Sequence, residues 1–134
     1  AGFNETKRLR GTKIIDLFRH NQIGKPRYLK VWQKILARLE LKEEGQLKLA
    51  VIEADRMLDH LLILVGYGQK HSKERLTRLT PTQVSNLKDL REARENIERL
   101  LNEPGLEIDL ERAERIIKIY QRAFEDLGLI DPSE

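Results

Sequence analysis

Apolar residues recur three and four positions apart in four separate stretches of this chain, and that spacing predicts four amphipathic helices. The first is expected from Pro26 to Leu41, where Tyr28, Val31, Trp32, Ile35 and Leu39 share a stripe. The second is expected from Glu43 to Val65 and contains LKLAVIEADRMLDHLLILV, too apolar for a surface helix and too short to cross a bilayer. At 100° per residue, Leu47, Ala50, Val51, Ala54, Met57, Leu58, Leu61 and Val65 fall on its broad apolar face, and Glu44, Lys48, Asp55 and Asp59 fall opposite. Leu49, Ile52 and Ile63 lie on the polar flank, where an ordinary amphipathic helix carries charge. They form a candidate oligomer face.

The third helix is expected to open at Thr80 as N-cap, with Pro81 at the first helical position and Gln83 completing a capping box. Its stripe is Val84, Leu87, Leu90, Ala93, Ile97 and Leu101. Arg94 falls inside that stripe. Its stem is expected on the core, with its charge on Glu98 or a carboxylate of the second helix. Glu103-Pro104-Gly105 is a turn. Asp109 caps the fourth helix, which carries Leu110, Ala113, Ile117, Tyr120, Phe124 and Leu127 inward and stops at Gly128. A short helix near Ser72–Leu79 joins the second and third, after glycines Gly66 and Gly68. The expectation is an all-α bundle of four main helices and one short one over residues 28–134. It is preceded by an N-terminal arm over residues 1–27, partly ordered, in which only Ile14, Leu17 and Phe18 give an apolar side. Trp32, the sole tryptophan, is expected to anchor the core.

Charge sharpens the picture of the arm. Residues 1–36 hold nine basic side chains against Glu5 and Asp16, a net +7, so the remainder of this +3 chain is −4. Lys7, Arg8, Arg10, Lys13, Arg19, Lys25, Arg27 and Lys30 form a basic run suited to RNA phosphates, an anionic lipid surface or an acidic partner. A solvated basic tail accounts for the same residues. With 134 residues one domain suffices, and without cysteine there is no disulfide, zinc–thiolate site or thiol nucleophile.

The remaining chemistry is sparse. Gly66 and Gly68 lack the Lys-Ser/Thr of a phosphate loop. Asp55, Asp59 and His60 share a helix, but no Glu-x-x-His pair occurs, and a solvated acidic stripe is the expectation rather than a metal site. His20, His60 and His71 have no triad-like setting. No catalytic residue, cofactor, metal or small-molecule substrate is predicted.

The run KLAVIEADRMLDHLL, then ERL, TPTQVSNL, an Asn102-Glu103-Pro104 turn and a closing DLGLI resembles small bacterial proteins of the HEPN superfamily, over roughly Trp32 to Ile130. The resemblance implies an all-helical bundle, often dimeric, in a family with many metal-independent ribonucleases. Their Arg-x(4–6)-His motif falls on the third helix. Here its positions hold Ile97 and Asn102, and asparagine cannot shuttle protons as histidine does. The resemblance therefore implies a non-catalytic module, a homodimer or the docking site of a protein partner. Arg91, Arg94, Arg99 and Asn102 are left as candidate phosphate or partner contacts. Pairs within the helix, such as Glu95–Arg99, are the plainer account of them. A rearranged ribonuclease and a membrane-proximal scaffold are the alternatives. The expected location is cytoplasmic, membrane-associated if an upstream segment has been removed.

Overall fold

The computed structural model describes residues 25–64 and 76–131. Among the described residues the protein is all-helical and has no strand. The helices are α1 (Lys25–Glu40), α2 (Glu44–Leu62), α3 (Leu87–Asn102) and α4 (Leu110–Asp126). Ile63 and Leu64 carry α2 on into one wider turn. Val65, the glycine stop and the first half of the expected short helix lie outside the described residues; in its second half Leu76 and Leu79 are buried.

α2 packs against α1, α3 and α4, which is why its apolar face is so broad. Leu47, Ala50, Val51, Ala54, Met57, Leu58 and Leu61 are all buried. Trp32 of α1 meets Phe124 of α4 edge-on, with ring centroids 5.4 Å apart, so the first and last helices close the core between them. A three-residue turn joins α1 to α2. Its Lys42 takes a φ of 57°, the left-handed region that an L-residue enters at a cost of roughly 1–2 kcal/mol. Across the turn Arg38 pairs with Glu53 and donates to Gln46 Oε1 at 2.8 Å.

The ends of α4 follow local chemistry. Asp109 Oδ1 accepts the Arg112 N–H at 2.8 Å, as an N-cap should. At the other end Gly128 has a φ of 84°. Its N–H donates to the Glu125 carbonyl at 3.0 Å and that of Leu129 to the Phe124 carbonyl at 2.9 Å, a Schellman closure sealed by buried Leu129. Lys48 of α2 reaches the α3–α4 turn and donates to the carbonyls of Pro104 at 3.3 Å and Leu106 at 3.0 Å.

Three expectations are corrected. The Thr80 turn forms with its reciprocal contact, Thr80 N–H to Gln83 Oε1 at 3.0 Å, but α3 does not begin there. Ser85 intervenes: its N–H and hydroxyl both donate to Asp126 Oδ2 of α4, at 2.8 and 2.6 Å. Asn86 Nδ2 donates to the Ile119 carbonyl at 3.0 Å. These ties to α4 hold the backbone out of helix until Leu87. The second correction concerns the end of the α3 stripe, where Leu100 is buried and Leu101 is exposed. The third is Asp55, expected on the solvated face and instead buried.

Candidate functional site

Arg94 and Tyr120 both sit in apolar stripes, one on α3 and one on α4, and each carries a polar end into the core. A buried hydroxyl or guanidinium needs an acceptor, and the uncompensated group costs about 1–3 kcal/mol or more. α2 supplies it. Tyr120 Oη donates to Asp55 Oδ1 at 2.6 Å, a length typical of a hydroxyl on a charged oxygen. Arg94 Nε stands 3.6 Å from the same Asp55 oxygen, and Arg94 Nη2 stands 3.7 Å from Asp59 Oδ1 one turn along α2. Three helices are thus joined by one carboxylate.

The hydroxyl contact is a full hydrogen bond, whereas the guanidinium contacts are longer than the 2.7–2.9 Å or so of a charge-assisted one. Arg94 Nε and Nη1 are buried without a hydrogen-bond partner. Burial therefore outweighs the two favourable neighbours and raises the Asp55 pKa above its ordinary value, while the Arg94 charge and the Tyr120 hydrogen bond act to lower it. The Tyr120 hydroxyl is pushed well up, by burial first and then by the Asp55 charge. With Asp55 8 %, Arg94 6 % and Tyr120 0 % exposed, these side chains meet one another and not solvent. The arrangement orders α2, α3 and α4; it presents no nucleophile or proton donor to a substrate.

A second polar contact lies between α1 and α2. Tyr28 Oη is 3.3 Å from His60 Nδ1. Burial raises the Tyr28 pKa, opposed by the neighbouring Arg27 charge. Asp55, Asp59 and His60 are therefore each engaged by other side chains. Among the described residues no group of three acidic, histidine or cysteine side chains is placed to hold a metal.

Arg91, Arg94, Arg99 and Asn102 do not converge. Arg94 turns inward, while Arg91, Arg99 and Asn102 are exposed. Arg99 lies 140° around α3 from Arg94 at 100° per residue. Arg99 does not pair with Glu95, and among the described residues no side-chain partner engages it. Ile97 and Asn102 part in the same way: Ile97 is wholly buried in the core and Asn102 is exposed. Of the basic run, Lys7, Arg8, Arg10, Lys13 and Arg19 lie outside the described residues. Lys25 opens α1, and Arg27 and Lys30 are exposed on it.

The flank of α2 divides. Ile52 is 7 % exposed, covered by the protomer itself, so it does not belong to a free face. Leu49 and Ile63 are 42 % and 44 % exposed, with Leu64 beside them at 55 %. Leu49, Arg56 and Ile63 are seven residues apart and lie within 40° of one another on the helix. α1 meets the side of α2 that carries Gln46, Glu53 and His60, and α3 meets the side that carries Asp55 and Asp59. The stripe of Leu49, Arg56 and Ile63 is what remains outward.

The sequence puts Arg94 inside its stripe with Glu98 or an α2 carboxylate as the expected partner, and α2 supplies Asp55 and Asp59; what is unexpected is that Asp55 is buried. The signal was present in combination: a tyrosine and an arginine inside apolar stripes require a buried acid, and Asp55 lies only 20° beyond the last fully buried position of α2, Leu62. No family model, curated protein or solved structure matches this chain.

Proposed function

We propose that this protein is a non-catalytic, HEPN-like helical interaction module that pairs with a second copy of itself through the outward face of α2. The observation that carries this reading is the exposure of Leu49 and Ile63 on a helix whose other sides are packed against neighbours. Apolar side chains grouped on one exposed helical face favour burial against a partner by roughly 25 cal/mol per Å2 removed from water. A two-fold pairing would set each Leu49–Ile63 stripe against its equivalent, since one patch serves both sides of such an interface. The burial of Ile97 at the motif's arginine position supports the non-catalytic part, because no exposed cation stands there.

Light scattering across a concentration series tests the pairing. The expected result is a dimer mass that falls to the monomer mass in the Leu49→Lys, Ile63→Lys double variant. A wild-type protein that stays monomeric at the highest concentration reached overturns the reading.

A second reading, contact with RNA phosphates, is favoured by the exposure of Arg27 and Lys30 at the start of α1, where the basic run enters the helix. Filter binding at low and moderate salt decides it. Binding should weaken steeply with salt and weaken further when Lys7, Arg8, Arg10 and Lys13 become alanine. Failure to retain any RNA at low salt removes this branch.

A further inference from the structure

The cleft between the C-terminal half of α3 and the N-terminal half of α4 brings together residues that no expectation from the sequence grouped. Arg99 and Asn96 line it from α3, and Arg112 lines it from α4. Its floor is apolar, made by Leu100, Ile108 and Ile116. Among the described residues, Asn96, Arg99 and Arg112 make no side-chain hydrogen bond or ion pair, so their donors are left unused. Neighbouring charges have settled elsewhere: Arg115 pairs with Glu111 at 3.5 Å and Arg122 with Asp126 at 3.5 Å. The cleft is half open to solvent and offers ≈ 40 Å3, enough for one small polyatomic group. It opens into a wider stretch of the same groove, which shares Asn96, Arg112 and Ile116.

We propose that this cleft binds a phosphate monoester, with Arg99, Arg112 and Asn96 as its donors. Two guanidiniums and a carboxamide, brought from two helices, suit a tetrahedral group with three terminal oxygens. A planar carboxylate is satisfied by a single guanidinium fork. Near neutral pH a phosphate monoester carries a charge of about −1.5 to −2, which matches two arginines. The apolar floor accepts the body that bears the phosphate, and the wider stretch gives it room. Three carboxylates oppose binding: Glu107 lines the cleft itself, and Asp89 and Glu92 line the wider stretch, so each reduces the attraction for an anion. Lys48 acts as a positioning residue: by holding the carbonyls of Pro104 and Leu106 it fixes the turn that carries Leu106, Glu107 and Ile108 into the lining. The phosphate could belong to a free nucleotide or to the end of an RNA strand. The cleft lies on α3 and α4, so this site stands or falls independently of the α2 pairing face.

Equilibrium binding on the full chain at low salt tests it, with adenosine 5′-monophosphate, adenosine, and an RNA octamer bearing either a 5′-phosphate or a 5′-hydroxyl. The nucleotide should bind and adenosine should not. Arg99→Gln and Arg112→Gln should each weaken nucleotide binding about tenfold, the loss of one charge-assisted contact. Glu107→Gln should tighten it, and Arg91→Gln, an exposed arginine outside the cleft, should leave it unchanged. If the phosphorylated octamer binds more tightly than the nucleotide, and than its hydroxyl counterpart, the source is an RNA end; equal binding of nucleotide and phosphorylated octamer assigns the free nucleotide. Absence of nucleotide binding overturns the proposal. So does an equal loss in Arg91→Gln, or a loss confined to the variant in which Lys7, Arg8, Arg10 and Lys13 become alanine, since either marks diffuse attraction to a basic surface. Arg91, Arg99, Glu107 and Arg112 are exposed, so their variants fold, and circular dichroism of every variant confirms it.

Discussion

Two regions of α2, a quarter to a third of a turn apart, reverse the usual order of a helix. On one, the Asp55 carboxylate lies inside the protein against Tyr120 and Arg94; on the other, Leu49 and Ile63 meet solvent. A buried carboxylate is costly alone and tolerable only with its donors, so its neighbours on α3 and α4 are tied to it. An exposed leucine costs the folded monomer little, because it is no more exposed in the native chain than in the unfolded one. The inward region therefore governs stability, and the outward region is free to govern association.

Changes at Arg94 should break this contrast most severely. Arg94→Met leaves Asp55 buried without its cation and should lower the unfolding free energy by about 3–5 kcal/mol, measured by urea denaturation. In an Asp55→Asn background the same change should cost much less, because the amide still accepts from Tyr120 and carries no charge to be stranded. Equal costs in both backgrounds would show that Arg94 acts through its packed stem and not through Asp55. Next in size is Tyr120→Phe. It removes the one full hydrogen bond to the carboxylate and should cost about 1–3 kcal/mol.

The pH dependence is smaller and has an unusual sign. Folded Asp55 holds its proton to a higher pH than the unfolded chain does, because burial raises its pKa above the ordinary 3.8. Between those two pKa values the native state binds more protons, so this group's contribution to stability falls as pH rises through the window. A carboxylate in an exposed ion pair behaves the other way. The stability of the wild type relative to Asp55→Asn should therefore increase as pH is lowered through the raised pKa toward 3.8. A difference that stays flat across that range would mean that Asp55 is effectively solvated. The smallest effect belongs to the outer region: Leu49→Lys or Ile63→Lys should shift monomer stability by no more than about 0.5 kcal/mol while altering association.

Much of this architecture was legible in the chain, and the misses share a cause. The stripes of α1, α2 and α4 led to the right buried residues because a helix of several turns averages its period over many positions. Asp109 and Gly128 marked the ends of α4 because a cap depends on its own few residues. The start of α3 failed for a related reason. Thr80, Pro81 and Gln83 carry a true local signal and form their turn, yet Asp126, forty-one residues on, takes the Ser85 N–H and hydroxyl and delays the helix. Leu101 was misplaced because a four-residue step from Ile97 and a three-residue step to Leu100 fit the same stripe; the helix buried the second.

By itself the sequence determined what is local and periodic: the helical class, the faces of four helices, the tryptophan at the core and the caps of α4. Only the tertiary structure decided which polar residue went inside and which apolar residue stayed out. It also decided which of the third helix's arginines were left without a partner. Those outcomes depend on which helices face one another. Asp55 is a surface acid until Tyr120 and Arg94 arrive from two other helices, and Arg99 and Arg112 share a cleft only because α3 and α4 lie side by side.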